Sequence, residues 1–151
     1  MKLKLFLLTV GFTFLFSTNI QAREIYFKID ATNKYNYSFM DNNISEEEIM
    51  MMAQCVISEA GNQSDLGKQY VVDTILNRKD SEKYPDTVTE VLTQESQYHI
   101  NYDIEPDKDT IILVKNEIKN RKNKDVMYFR ANKYHNFGEP VIKIDDHYFS
   151  K

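Results

Sequence analysis

The chain has 151 residues, a formal net charge of −4, four glycines, three prolines and one cysteine. That length suits one domain, and the composition excludes collagen-like and low-complexity chains, a disulfide framework and any cysteine-based zinc finger. The acidic balance argues against nucleic acid as a partner, because neutralising phosphates takes surplus Lys and Arg.

Residues 1–22 read as a secretory signal. Lys2 and Lys4 form a basic start, Leu5 to Phe16 form an apolar stretch, and Ile20-Gln21-Ala22 offers a cleavage site. The apolar stretch, about a dozen residues, is shorter than the roughly twenty that span a bilayer. A secreted, extracytoplasmic protein is therefore expected. The leader carries two lysines and no acid, so its removal takes the net charge from −4 to −6. Residues 23–43 begin with a strand-like stretch, Glu24 to Ile29, and then turn polar, with Asn33, Asn36, Asp41, Asn42 and Asn43. They are expected to form a peripheral arm, leaving 44–151 as the folded domain.

The first helix is predicted over 45–60. Ser45 and Glu48 have the spacing of a capping box, and Ile44 and Ile49 that of a hydrophobic staple. Glu46, Glu47 and Glu48 suit the positive end of the helix dipole. Ile49, Met52, Ala53, Val56, Ile57 and Ala60 recur at helical spacing, and Gly61 is expected to close the helix in a left-handed cap. A second helix, 64–78, is apolar on most sides around Tyr70-Val71-Val72 and Ile75-Leu76, which predicts deep burial. Tyr84-Pro85-Asp86 predicts a turn, and Thr87 with Glu90 a short capped helix through Thr93. Residues 101–109, with Pro106, predict a loop, and Ile111, Leu113, Val114 and Ile118 a helix over 109–122. Three strands follow, at 126–129, 141–144 and 147–149. Helices first and strands last make the class α+β.

Glu59 is the candidate for chemistry. At 100° per residue it lies about 80° from the centre of the apolar stripe, at the rim of the buried face. It also stands in the last helical turn, where the dipole disfavours a further negative charge. Both placements suit a carboxyl that must carry a proton, as a glycosidase acid does when it protonates a leaving oxygen. An arbitrary Glu at a helix end more often simply faces water, so the neighbouring sequence decides.

That sequence resembles the SleB-type cell-wall hydrolases. Residues 51–60, Met-Met-Ala-Gln-Cys-Val-Ile-Ser-Glu-Ala, look like the segment that ends the family's catalytic helix. Gly67 and Ile75-Leu76-Asn77-Arg78 then match a buried helix closing on Leu-Asn-Arg. Tyr84-Pro85-Asp86-Thr87 matches an aromatic-Pro-x-Thr turn, and Val91 with Gln94-Glu95-Ser96-Gln97-Tyr98 a Gln-x-x-Gln-aromatic segment. Met127-Tyr128-Phe129 and His147-Tyr148-Phe149 match the two closing strands. Departures are Gly61-Asn62 where the family has Arg-Gly, Tyr98 where it has Phe, and the absence of Trp.

The resemblance implies a lysozyme-like fold with a helical N-terminal part and a small C-terminal β-region. It implies cleavage of the peptidoglycan glycan strand between N-acetylmuramic acid and N-acetylglucosamine, by a lytic transglycosylase or a muramidase. Glu59 matches the catalytic acid. No second acid stands in a matched motif, Glu95 being the nearest candidate, and this favours the one-carboxylate transglycosylase over the two-carboxylate scheme. Gln94, Gln97 and Tyr98 are expected to line the cleft, since amides bond sugar hydroxyls and Tyr offers a flat face with a polar tip. Tyr128 and Tyr148 are candidate sugar platforms, although aromatic strand residues are more often core. His147 is a candidate supporting residue, with a structural hydrogen bond as the other reading. Asn77 and Arg78 are expected to fix the junction after the buried helix. No cofactor and no metal are implied, since the histidines show no close pair. A monomer is expected, and the acidic charge leaves room for a wall-associated assembly partner. Two alternatives stand beside this: a non-catalytic wall-binding protein on the same scaffold, and a peptidase using Cys55 with a histidine. Against the peptidase, Cys55 falls mid-helix, away from the electropositive helix start that stabilises a thiolate.

Overall fold

The computed structural model describes residues 44–151. The signal 1–22, the arm 23–43 and the strand-like stretch at Glu24 to Ile29 lie outside them. The described residues form helices α1 (Glu46–Ala60), α2 (Asp65–Lys79), α3 (Val88–Leu92) and α4 (Lys108–Lys119), then strands β1 (Tyr128–Ala131), β2 (Pro140–Ile144) and β3 (His147–Ser150). The class is α+β.

Side chains cap the helix starts, at Ser45 and Thr87 as the sequence predicts and at Ser64 and Asp107 in addition. The Ser45 hydroxyl accepts from the Glu48 N–H at 3.1 Å while the Glu48 carboxylate accepts from the Ser45 N–H at 3.0 Å, a complete capping box. Ser64, Thr87 and Asp107 cap α2, α3 and α4 in the same way through side-chain oxygens. Gly61 differs from expectation. Its φ of −58° is right-handed, so the helix ends without a left-handed cap. Glycine is required there by space, because a Cβ would stand 2.6 Å from the Ile57 carbonyl oxygen.

Helix α2 is the centre of the core. Residues 71–78 are all buried, polar ones included. Val71, Val72, Ile75 and Leu76 pack with Met52 and Val56 of α1, Val91 of α3 and Val114 of α4. Each such aliphatic side chain contributes about 1.5–3 kcal/mol through its removal from water. The antiparallel sheet runs in the order β1-β3-β2. Phe149 of the central strand is fully buried and meets the Tyr70 ring of α2 edge-on at 5.1 Å.

Two of the predicted boundaries shift because side chains of α2 and α4 capture backbone. Helix α4 stops at Lys119 rather than 122. The Lys122 N–H turns to the Glu117 carboxylate at 3.0 Å and the Asn123 N–H to Asp73 at 2.7 Å, so the chain docks on α2 instead of extending the helix. The first strand begins at Tyr128, two residues late. The carbonyl of Val126 accepts from Asn77 Nδ2 at 2.8 Å and that of Met127 from Arg78 Nε at 2.8 Å, which holds both residues to the helix.

Candidate active site

Three side chains on one side of α1 hold the loop that follows the Gln-rich turn. Gln54 Nε2 donates to the carbonyls of Tyr102 and Ile104, both at 3.1 Å. The Ser58 hydroxyl accepts from the Asn101 N–H at 3.0 Å and donates to the Gln54 carbonyl at 2.7 Å. Glu59 Oε1 accepts from the His99 N–H. Gln54 and Ser58 stand one helical turn apart on the same face, and Glu59 follows Ser58, so the three side chains together bind the 99–104 loop. Glu59 is half-buried, as a residue at the rim of the apolar face should be.

The Gln-rich turn leads into that loop. Ser96 has φ +60°, a left-handed conformation that costs a non-glycine residue about 1 kcal/mol or more. Gln94 and Gln97 end up in different surroundings. The Gln94 amide oxygen is buried and has no hydrogen-bond partner among the described residues. Gln97 is exposed, and its Oε1 accepts from Arg78 Nη1 at 3.0 Å, which leaves its NH2 group to donate elsewhere. Glu95 is exposed on the turn.

Arg78 organises this region. It is 5% exposed, and its guanidinium carbon lies 5.0 Å from the Tyr98 ring centre, 5.1 Å from Tyr84 and 5.6 Å from Tyr128. Three aromatic faces favour a cation that is largely removed from water. Arg78 therefore ties α2, the Gln-rich turn and the start of β1 together. Tyr98 turns inward rather than presenting a free face. Its hydroxyl meets Thr74 Oγ1 at 3.2 Å and its ring packs on the core beside Phe129. Burial pushes the Tyr98 phenol up, beyond the usual range.

The sheet supplies His147 from β3. It is 6% exposed, its ring 5.1 Å from that of Phe129. Burial holds its pKa below the ordinary histidine value, against the pull of Glu59, Asp146 and Asp145. Its Nδ1 is buried without a hydrogen-bond partner among the described residues. The β2–β3 turn is fastened to the turn between α1 and α2: the Ser64 N–H and hydroxyl donate to Asp145 at 2.8 and 2.6 Å, and the Asp146 N–H donates to Gln63 Oε1 at 3.0 Å. Those bonds keep His147 near Glu59.

Tyr148 goes the other way. Strand residues alternate faces, and Tyr148, between His147 and Phe149, pairs with Lys143 and Arg130 on the outer face. Its ring meets Tyr134 at 5.0 Å and the Lys143 ammonium at 5.4 Å. Contacts thus link Glu59 to the Gln-rich turn through His99, Arg78 to Gln97, Tyr98 and Tyr128, and Tyr98 through Phe129 to His147, while Tyr148, on the sheet face it shares with Tyr128, meets Tyr134 and Lys143 instead. Cys55 is fully buried, and burial together with the Glu59 charge raises its thiol far from a reactive thiolate. Sequence reasoning missed Gln54, Ser58 and the His99 and Asn101 amides. The i, i+4 pairing of Gln54 with Ser58 beside Glu59 was the available signal for the first two; nothing in the sequence marks the backbone donors.

Comparison with known proteins gives the family. The model described as Cell Wall Hydrolase matches residues 62–150, more than half of the chain, beginning three residues after Glu59. Two solved structures share the fold. The catalytic domain of the Bacillus cereus SleB protein superposes with a TM-score of 0.66 at 22% identity, covering 79% of this chain and 100% of that one. The catalytic domain of the germination-specific lytic transglycosylase SleB from Bacillus anthracis gives 0.64 at 24% identity, covering 74% and 100%. No curated protein matches the chain.

Proposed function

This chain belongs to the cell wall hydrolase family, and from that premise we propose that it is a secreted glycosidase that cuts the glycan strand of peptidoglycan between N-acetylmuramic acid and N-acetylglucosamine. Glu59 is its single catalytic acid and base. The observation that carries this reading is the state of the Glu59 carboxyl: half-buried at the end of α1, with Oε1 engaged by the His99 N–H. That N–H occupies Oε1, so Oε2 is the oxygen that passes a proton to the substrate.

Oε2 donates this proton to the glycosidic oxygen, the bond from C1 of the muramic sugar to that oxygen breaks, and the N-acetylglucosamine side leaves as an alcohol. Glu59 is then a carboxylate, and the His99 N–H stabilises it as a donor to charge. The C6 hydroxyl of the muramic sugar closes on its own C1 and returns its proton to Glu59. The product is a 1,6-anhydro end, with no water consumed. The name of the Bacillus anthracis domain, a lytic transglycosylase, supports this version. The leader 1–22 supports export to the wall.

The test is Glu59→Gln against purified peptidoglycan, with product masses. The wild type should release fragments and the variant should lose activity by about a hundredfold to ten-thousandfold, the usual share of a general acid. Anhydro ends identify the transglycosylase and reducing ends a hydrolase. Undiminished cleavage by the variant would remove Glu59 from the chemistry. Wall binding without any release by the wild type would make the chain a wall-binding protein.

A further inference from the structure

The β1–β2 loop carries an apolar ring that the fold keeps in water. Phe137 is 51% exposed. Its surroundings are nevertheless built. The ring stacks on His135 at 4.6 Å with an interplanar angle of 27°, and meets Tyr128 edge-on at 5.2 Å and 88°. His135 Nε2 is hydrogen-bonded to the Phe129 carbonyl at 3.2 Å, which pins one side of the loop to β1. On the other side, Glu139 and Lys151 exchange backbone hydrogen bonds of 2.8 and 3.0 Å. Between them Gly138 has φ +74°, and a Cβ there would stand 2.7 Å from the Lys151 carbonyl oxygen and 3.6 Å from Tyr128. Only glycine lets the loop turn at this φ so close to the Lys151 carbonyl. An exposed ring held by several fixed contacts is more than a stray surface apolar residue.

Polar groups border this ring. The Tyr84 hydroxyl donates to the Tyr128 hydroxyl at 3.2 Å, so Tyr128 keeps its own hydrogen for another acceptor. Tyr128 lies against Arg78, Arg78 holds Gln97, and Gln97 is two residues from the amide that engages Glu59. A flat apolar face edged by a phenol donor fits a pyranose, which has an apolar C–H face and a rim of hydroxyls and N-acetyl groups. We propose that Phe137, backed by His135 and Tyr128, is a sugar-stacking subsite for the glycan strand at a ring remote from the bond that is cut. The inference rests on the glycan-cleaving reading, and its test is a binding measurement independent of cleavage.

In the Glu59→Gln background, calorimetric titration with a soluble peptidoglycan tetrasaccharide measures affinity. Adding Phe137→Ala should weaken binding about tenfold. Phe137→Trp should bind at least as well as the parent, and Phe137→Leu, apolar but not planar, should be as weak as the alanine variant. Circular dichroism establishes that each variant is folded, and the Leu and Trp pair decides the matter if the alanine variant is not. Equal binding by Leu and Trp, alanine binding like the parent, or no binding by the parent would overturn the subsite. A wild type that cleaves nothing, combined with the expected ranking of affinities, would remove the glycosidase and leave the subsite standing.

Discussion

Two loops of this protein are held to helices by the same device, a side-chain carboxyl that accepts a backbone N–H, and they differ in burial. Glu59 of α1 takes the His99 N–H at a half-buried rim, beside Ser58 and the Asn101 N–H. Asp73 of α2 and Glu117 of α4 take the Asn123 and Lys122 N–H groups in the interior, where the two residues are 0% and 1% exposed. Burial pushes Asp73 up to about 7, with the neighbouring Glu117 adding to the rise and the Asn123 N–H and Arg121 opposing it. Arg121 braces this second site by donating to Asn77 Oδ1 at 3.1 Å and pairing with Asp80 at 2.6 Å. One site keeps its carboxyl partly open to solvent; the other is closed to it. The difference teaches that position relative to solvent, rather than the hydrogen-bond pattern, separates a group available for chemistry from one that only fastens the chain.

Breaking each site should therefore produce opposite phenotypes. Glu59→Gln should cost activity heavily while changing stability by about 1 kcal/mol or less, because the amide oxygen still accepts the His99 N–H. Asp73→Ala should lower stability by about 1–3 kcal/mol through the stranded Asn123 N–H and the vacated volume; denaturant unfolding measures it. If both variants lost mainly stability, the comparison would fail. Arg78→Lys tests the link between the sites. A lysine cannot reach Met127 and Gln97 together as the guanidinium fork does, so a loss of about 1–3 kcal/mol is expected, together with a reduced kcat that Gln97→Ala should share in part.

The pH response sharpens the same contrast. Asp73 has a folded pKa raised from 3.8 to about 7, so its protonated form belongs to the fold. Its stabilising contribution is complete below about pH 4 and is lost as pH rises towards 7. Asp73→Asn should flatten that segment of the stability profile, measured by unfolding at pH 4.5 to 7.5; an unchanged profile would contradict the buried assignment. The smallest effect is expected from Ser58→Ala. It removes one partner of the Asn101 N–H at the exposed rim, worth about 0.5–1.5 kcal/mol, and amide exchange at Asn101 should quicken with little change in global unfolding.

Much of the fold is legible along the chain. Ser45 with Glu48 and Thr87 with Glu90 mark helix starts because a capping side chain bonds an amide two or three residues away, a local event, whereas Ser64 and Asp107 emerged as caps only in the structure. The strand tail and the buried second helix follow from periodicity. Helix and strand ends were less legible where the competing partner was distant: Asn123 to Asp73, Lys122 to Glu117 and Met127 to Arg78 all join residues close in space but not in sequence. Glu59 could be singled out from its position on a helical wheel and its flanking residues. The His99 amide that engages it, and the fate of the two tyrosines, could not. Tyr98 and Tyr148 look alike as aromatic neighbours of motif residues, yet one is folded under Arg78 and the other meets Tyr134 and Lys143 instead.

By itself, then, the sequence determined the class, the helix starts, the family resemblance and the carboxyl most suited to acid chemistry, because these depend on neighbours within one or two turns. Only the tertiary structure decided which groups surround that carboxyl. Loop backbone carries no side-chain signature, strand register sends adjacent residues to opposite faces, and burial is a property of everything packed around a residue.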